Sequence, residues 1–335
     1  MQTMTAHSSH LKRAALAAGV AFVLWTGQAA AQEVKVALDC PPDKVKCGSY
    51  VFAATLIDEL KAAGFQVREQ PVNSIGGEAE RLDQVTQGLL EVNFADLARA
   101  AQLNKFTFGF MLPYLFDSLD HLDKATVQGK LLDQVNSGTV PKGARIVALV
   151  SVGGGSGIFN TKHPVTKPAD LSDLRIRALD ENQLKLFKAW GTNGVVITMP
   201  EVANALQTGI ADGYLNPPFV PFLFGHTDLL KFYTDANVSQ ALRVAMVSED
   251  WYKGLKPDQK QKFDAAVAKA QSANRAWVVE SDKAAIAQLE KAGIKITSLT
   301  PEGRTQFQDL SKTSYTAILS QADVDKFVAA ANQTR

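Results

Sequence analysis

The sequence predicts an α/β chain in two lobes spanned by one long helix. Strand-like apolar runs alternate with longer helix-like stretches, a pattern that favours α/β over a β-sandwich or a helical bundle. About 300 residues follow an N-terminal leader, and single cores usually stop growing at about 250–300 residues, so two lobes are expected. Between Asp258 and Ala292 there is neither glycine nor proline.

The first lobe is expected over 32–152. It opens with the strand "VKVAL" (34 to 38) and the helical "YVFAATLIDELKAAG", which ends on Gly64. Then come the strand-like "FQVREQPV", a helix near Glu78 to Gln87, the buried strand "LEVNFAD" and, after another helical stretch, "RIVALVSV". The glycine cluster "GGGSG" (153 to 157) reads as a crossing where backbone freedom is useful. Alternation restarts in a second lobe over 153–237, with a strand from Arg175 to Ala178, a helix from Glu181 to Trp190 and "GVVITM". A returning segment near 238–256 is assigned to the first lobe, and part of the C-terminal segment 293–335 to the second. In the stretch free of Gly and Pro, Phe263, Val267, Ala270, Asn274 and Trp277 follow spacings of three and four. One helix over 257–292 would reach about 50 Å and span both lobes. Two helices meeting near Ser281 are the alternative.

The leader "LKRAALAAGVAFVLWTGQAAA" places Lys12 and Arg13 ahead of an apolar run with a small-residue end, which reads as a secretory signal over 1–31. Cleavage is expected near Ala31/Gln32, and a periplasmic location follows. No later segment has the roughly twenty uninterrupted apolar residues of a membrane span. Losing Lys12 and Arg13 takes the net charge from +1 to about −1, which implies no general attraction to nucleic acid or anionic membrane. The only cysteines, Cys40 and Cys47, flank "PPDKVK" in a chain bound for an oxidising compartment. A local disulfide is expected, two free thiols being the alternative. The spacing is not C-x-x-C, so a redox role is unsupported.

Enzyme signatures are missing. After the leader the histidines are His121, His163 and His226, far apart and without H-E-x-x-H, so neither a metal nor another cofactor is expected. "GGGSG" fits neither G-x-S-x-G nor a phosphate loop. No catalytic residue is assigned; a carboxylate pair assembled by the fold is the form an enzyme would have to take.

Several segments together resemble one family, the DctP-type solute-binding subunits of tripartite ATP-independent periplasmic (TRAP) transporters. They are "NSIGGEAERLDQVTQG", "LPYLF", "FNTKHPVTKPADLSDLRIRA", "LFKAWGTNGVVITMPEVANALQTGIADGYLNP" and "SEDWYKGLKPDQKQKFDAA". The resemblance implies a periplasmic-binding-protein-like fold, two lobes closing on a small organic anion, most simply a carboxylate, and delivery to a membrane permease. The chain is expected to act as a monomer. A periplasmic enzyme acting on a small acid, or a ligand-loaded sensor partner, are the rival readings.

The family's ligand-pairing arginine matches Arg177 in "DLRIRALD", and a guanidinium suits the task because its planar fork donates two parallel bonds and never loses its charge. Arg175 points to the same strand face, so periodicity does not rank the two. The family's "DGxxNP" corresponds to Asp212, Gly213, Asn216 and Pro217. Pro217 biases Asn216 towards extended geometry, which suits it either for the cleft or for closing a turn. "FADLAR" resembles an acidic and basic pair in sialic-acid-binding members, so Asp96 and Arg99 are candidates for the cleft wall or for a structural ion pair. Ser156 stands where many members of the family carry a second arginine, so either Arg99 supplies that positive charge or the ligand is held by one cation plus neutral donors. Met199, Phe219 and Tyr50 are further candidates, each with a core role as the alternative.

Overall fold

Two mixed sheets organise residues 33–335, the part of the chain that the computed structural model describes. The expected secretory leader and its expected cleavage site lie outside these residues. Strands β1 (Val34–Ala37), β2 (Val67–Gln70), β3 (Val92–Asp96), β4 (Ala144–Gly155) and β10 (Gln240–Ser248) form the first sheet in the order β2-β1-β3-β10-β4. Strands β5 (Gly157–Asn160), β6 (Arg175–Ala178), β7 (Asn193–Val196), β8 (Gly213–Asn216), β9 (Phe232–Asp235) and β11 (Lys295–Ser298) form the second in the order β11-β9-β5-β8-β6-β7. β1 runs parallel to β2 and β3, whereas β10 is antiparallel to both β3 and β4.

Apolar residues on both faces of the first sheet explain the continuous runs read in the sequence. On one face, helix α1 (Gly48–Ala62) and the start of the long helix bury Phe52, Leu56 and Phe263 with Val36 and Phe94. On the other, Phe106, Phe110 and Phe327 pack with Ile146 and Val244. Phe327 belongs to the last helix (Gln321–Gln333), so the C-terminal segment ends on the first sheet although β11 has joined the second.

The long helix is unbroken from Pro257 to Lys291. Its first half packs Ala266, Val267 and Ala270 into the first sheet's core, and Leu289 enters the core of the second. Between them Asn274, fully buried, accepts from the Ser151 N–H at 2.9 Å and donates to the carbonyls of Gly48 and Ser151 at 2.9 and 2.8 Å. One amide thereby ties the long helix to the start of α1 and to β4.

The chain passes between sheets at Ser156 and returns just before β10. The two passages bond to each other: the Ser156 N–H donates to Ser239 O and the Val238 N–H donates to Ser156 O, both at 2.9 Å. The glycines before Ser156 serve a purpose other than backbone freedom. None of Gly153, Gly154 and Gly155 has positive φ. A Cβ on Gly153 would strike the Phe219 ring, one on Gly154 the Asp282 carboxylate and one on Gly155 the Asn237 side chain, so close approach is what excludes side chains there.

Asp282, on the long helix, accepts from the Gly154 N–H at 2.9 Å. Burial pushes its carboxyl up from the ordinary 3.8 to about 6, the Gly154 bond opposing and the Asp235 charge adding to the rise. As pH rises the unfolded chain gives up this proton before the folded one does, so this group's contribution to stability falls between about pH 4 and pH 6 and stays low above that. Asp282→Asn keeps the acceptor for Gly154 and is expected to flatten this limb. Urea unfolding at pH 4.5, 5.5 and 7 checks it; a variant as pH-sensitive as the wild type over that range would assign the limb to another group.

Candidate ligand-binding cleft

A cavity of about 590 Å³ opens between the two sheets and takes lining residues from both. That volume suits a small molecule. The carboxyl ends of β1, β3, β6 and β8 deliver Asp39, Asp96, Leu179 and Asn216 to it, as open α/β sheets do.

Arg177 lies on the wall from the second sheet and is 2% exposed. Its Nε donates to Ile197 O at 2.7 Å, and among the described residues no carboxylate pairs with it and no acceptor engages its terminal nitrogens. Burial holds the guanidinium below its usual value, opposed by Tyr214 and Asp180. Nearby, burial and the Arg177 charge hold His226 below its ordinary 6.5, so it is neutral at pH 7 and adds no second positive charge beside Arg177. Arg175, two positions earlier, is exposed and bonds Ile210 O at 3.2 Å outside the cavity lining. The strand end separates two arginines that periodicity could not.

Asn216 ends β8 opposite Gly157, and its buried Nδ2 has no hydrogen-bond partner among the described residues. Pro217 stops the strand beside it, and both line the cavity. Two buried donor groups thus border one space with unused bonding capacity, a state that is costly unless something accepts from them. Met199 and Phe219 complete this wall while also packing against the second sheet's core.

The wall from the first sheet is ionic. Arg243 of β10 stands in register with Asp96 of β3. Its Nη1 donates to Glu78 Oε1 at 2.6 Å, its Nε lies 3.3 Å from Asp39 Oδ2, and Asp96 Oδ2 is 4.0 Å from Nη1. Burial pushes the Asp39 carboxyl up, and the Arg243 charge pulls it back. Asp96 also caps the helix Leu97–Leu103 through the Ala98 N–H at 2.8 Å. Cys40 and Cys47 are joined in a disulfide, and its loop contributes Pro41, Asp43 and Lys46 to the rim.

Arg177, Asn216, Asp96, Met199, Phe219 and Ser156 therefore border one cavity, whereas two candidates do not. Arg99 points to Glu78 at 3.9 Å with 40% of its side chain exposed, and it lies outside the lining. Tyr50 packs against the first sheet's core at the start of α1, also outside it. The partner of Asp96 is Arg243 rather than Arg99, and Arg243 is the cavity's second guanidinium. The signal for it was a lone charge in the apolar "ALRVAMVS". Antiparallel pairing places the start of β10, not its end, beside the carboxyl end of β3. Asp39, which follows the first strand, was legible by the same strand-end logic.

Residues 40–322 match the family of bacterial extracellular solute-binding proteins, family 7, or DctP. The chain belongs to that family. Relatives within it include a C4-dicarboxylate-binding periplasmic protein of Rhodobacter capsulatus, 27% identical over 80% of this chain and 81% of the relative. A 2,3-diketo-L-gulonate-binding periplasmic protein of Escherichia coli is 23% identical over 76% of each chain. A TRAP periplasmic solute-binding protein of Rhodobacter sphaeroides, solved in an open ligand-free form, superposes with a TM-score of 0.81 at 20% identity, covering 90% of this chain and 99% of that one. Another from Xanthobacter autotrophicus, solved with bound β-D-galacturonate, gives 0.74 at 19% identity, covering 90% and 100%. These structures share the two-lobed fold with its long helix. In this family 7 member no helix among the described residues is long and apolar enough to cross a membrane.

Replacing Arg243 by alanine leaves Asp39, Glu78 and Asp96 facing one another without their shared cation. The expected loss is about 2–4 kcal/mol at pH 7 and smaller at pH 4, where Asp39, whose carboxyl is pushed up by burial, takes on a proton. Denaturant midpoints at the two pH values measure it, and an equal loss at both would point to packing rather than charge.

Proposed function

We propose that this chain is the extracytoplasmic solute-binding subunit of a TRAP transporter, exported to the periplasm, which captures a small organic carboxylate and hands it to a membrane permease. The observation that carries this reading is Arg177, a buried guanidinium bordering a cavity without an acidic partner among the described residues. A carboxylate docked on its terminal nitrogens would accept two parallel charge-assisted bonds, and Asn216 Nδ2 would donate a neutral third. The ligands named for relatives support the class, since dicarboxylates, a diketogulonate, glucuronate and galacturonate all carry a carboxylate.

Capture proceeds by closure. The lobes, 32–152 with 238–256 and 153–237 with part of the C-terminal region, move about the paired passages at Ser156 and Val238–Ser239 and the long helix 257–292. The ligand shifts this equilibrium only by its differential affinity for the closed form, which it gains by touching both walls at once. Water leaves the cavity, and the Arg177–carboxylate bonds strengthen in the lower dielectric. The chain acts as a binder rather than an enzyme, so the ligand leaves unchanged.

Arg177→Ala should weaken ligand binding on the order of thirtyfold or more, because removing one partner of a buried charge pair costs about 2–5 kcal/mol. The ligand is first found by a thermal-shift screen of small acids and mass spectrometry of what copurifies, then titrated by calorimetry. Normal affinity in Arg177→Ala would remove the anchor from the mechanism, and recovery of a chemically altered ligand would favour an enzyme.

A further inference from the structure

The two walls of the cavity differ in what they still have to offer. Arg177 supplies free donors from the second sheet. Arg243 has less charge to spare: its Nη1 donates to Glu78, its Nε lies 3.3 Å from Asp39 and Asp96 lies 4.0 Å from Nη1, so three carboxylates share one guanidinium. The carboxylates Asp39 and Asp96 border the cavity in their own right. Asp96 keeps 45% of its side chain exposed and uses one oxygen on the helix cap, so acceptor capacity remains on the cavity side. Arg81 and Arg99 balance Glu78 from outside the lining and add no donor to it. The remaining cation at the rim, Lys46, sits exposed on the disulfide loop, where a solvated ammonium holds a carboxylate weakly.

From this asymmetry we propose that the ligand is a monocarboxylate whose far end carries hydrogen-bond donors, hydroxyl or ammonium, received by Asp39 and Asp96, and that the Arg243 cluster rejects dicarboxylates. The inference rests on the carboxylate docking at Arg177. With that end fixed, the other end of a ligand that fills the cavity meets the first-sheet wall. A second carboxylate there would meet an arginine whose charge Glu78, Asp39 and Asp96 already share and would lie beside the last two, whereas a donor would find acceptors in them. Rejection of one partner by an unmatched charge is how such sites discriminate.

Calorimetry on the mature chain tests it with three pairs of probes: D-gluconate and D-glucuronate as hydroxylated acids, γ-aminobutyrate and 5-aminovalerate as ammonium acids, succinate and glutarate as dicarboxylates. At least one donor-bearing acid should bind about tenfold or more tighter than either dicarboxylate, a gap of about 1.4 kcal/mol. Which donor arm wins distinguishes a hydroxylated from an ammonium ligand. Asp96→Asn preserves the helix cap and removes one repelling charge, so it should narrow the gap on the order of fivefold by improving dicarboxylate binding. A dicarboxylate binding as tightly as the best donor-bearing acid, no donor-bearing acid binding at all, or a gap unchanged in Asp96→Asn would each overturn the proposal. Arg177→Ala run in parallel separates the two readings. If it binds the preferred acid as well as the wild type does, the anchor fails while the donor preference of the wall is still measured.

Discussion

A guanidinium withdrawn from water needs acceptors, and Arg177 has one backbone carbonyl. Such a side chain is tolerated in a folded protein only if the surrounding structure is rigid enough to hold it and something else meets its remaining donors. The second sheet supplies the rigidity. β6 lies between β7 and β8, and the Leu186, Phe187 and Trp190 cluster packs beneath it. The order of the cavity follows from that one commitment: neutral donors and apolar surface gather around Arg177, and the acids stay on the opposite sheet, where Arg243 contains them.

Much of the fold was legible because local and tertiary preferences agree. The absence of Gly and Pro between Asp258 and Ala292 gave the long helix within a residue of its end. Arg175–Ala178 was read without error, and the helix after it differs only at Trp190, where its cap begins. The sequence was less informative where meaning depends on a distant neighbour. Glycines 153 to 155 look like a flexible joint, yet each is closely approached by a side chain distant in sequence, Phe219, Asp282 or Asn237. Arg99 carried the right charge in the right neighbourhood, but its helix directs it to Glu78 at the exposed edge of the cluster.

Arg243 shows the same limit for the candidate site. Nothing local distinguishes it from an ordinary strand charge, and its role emerges only when β10 inserts between β3 and β4. Ser156, by contrast, is found at the cavity, but as part of the passage between sheets and with no charge to give. The cavity's second guanidinium stands on β10, and that placement bears on what the wall can accept.

The insertion of β10 also bears on how the chain reaches this state. Glu78 and Arg243 meet although they lie 165 positions apart, with the whole second sheet except β11 encoded between them. Strand β10, interior to the first sheet, is therefore among the later parts to be made and must close a very long loop. Such closure costs entropy before any contact rewards it, and topologies of this kind fold slowly. Until β10 arrives, the edges of β3 and β4 stay unpaired, so the half-finished sheet is an open invitation to the wrong neighbour. The strand that carries the cavity's second guanidinium is thus also the keystone of assembly.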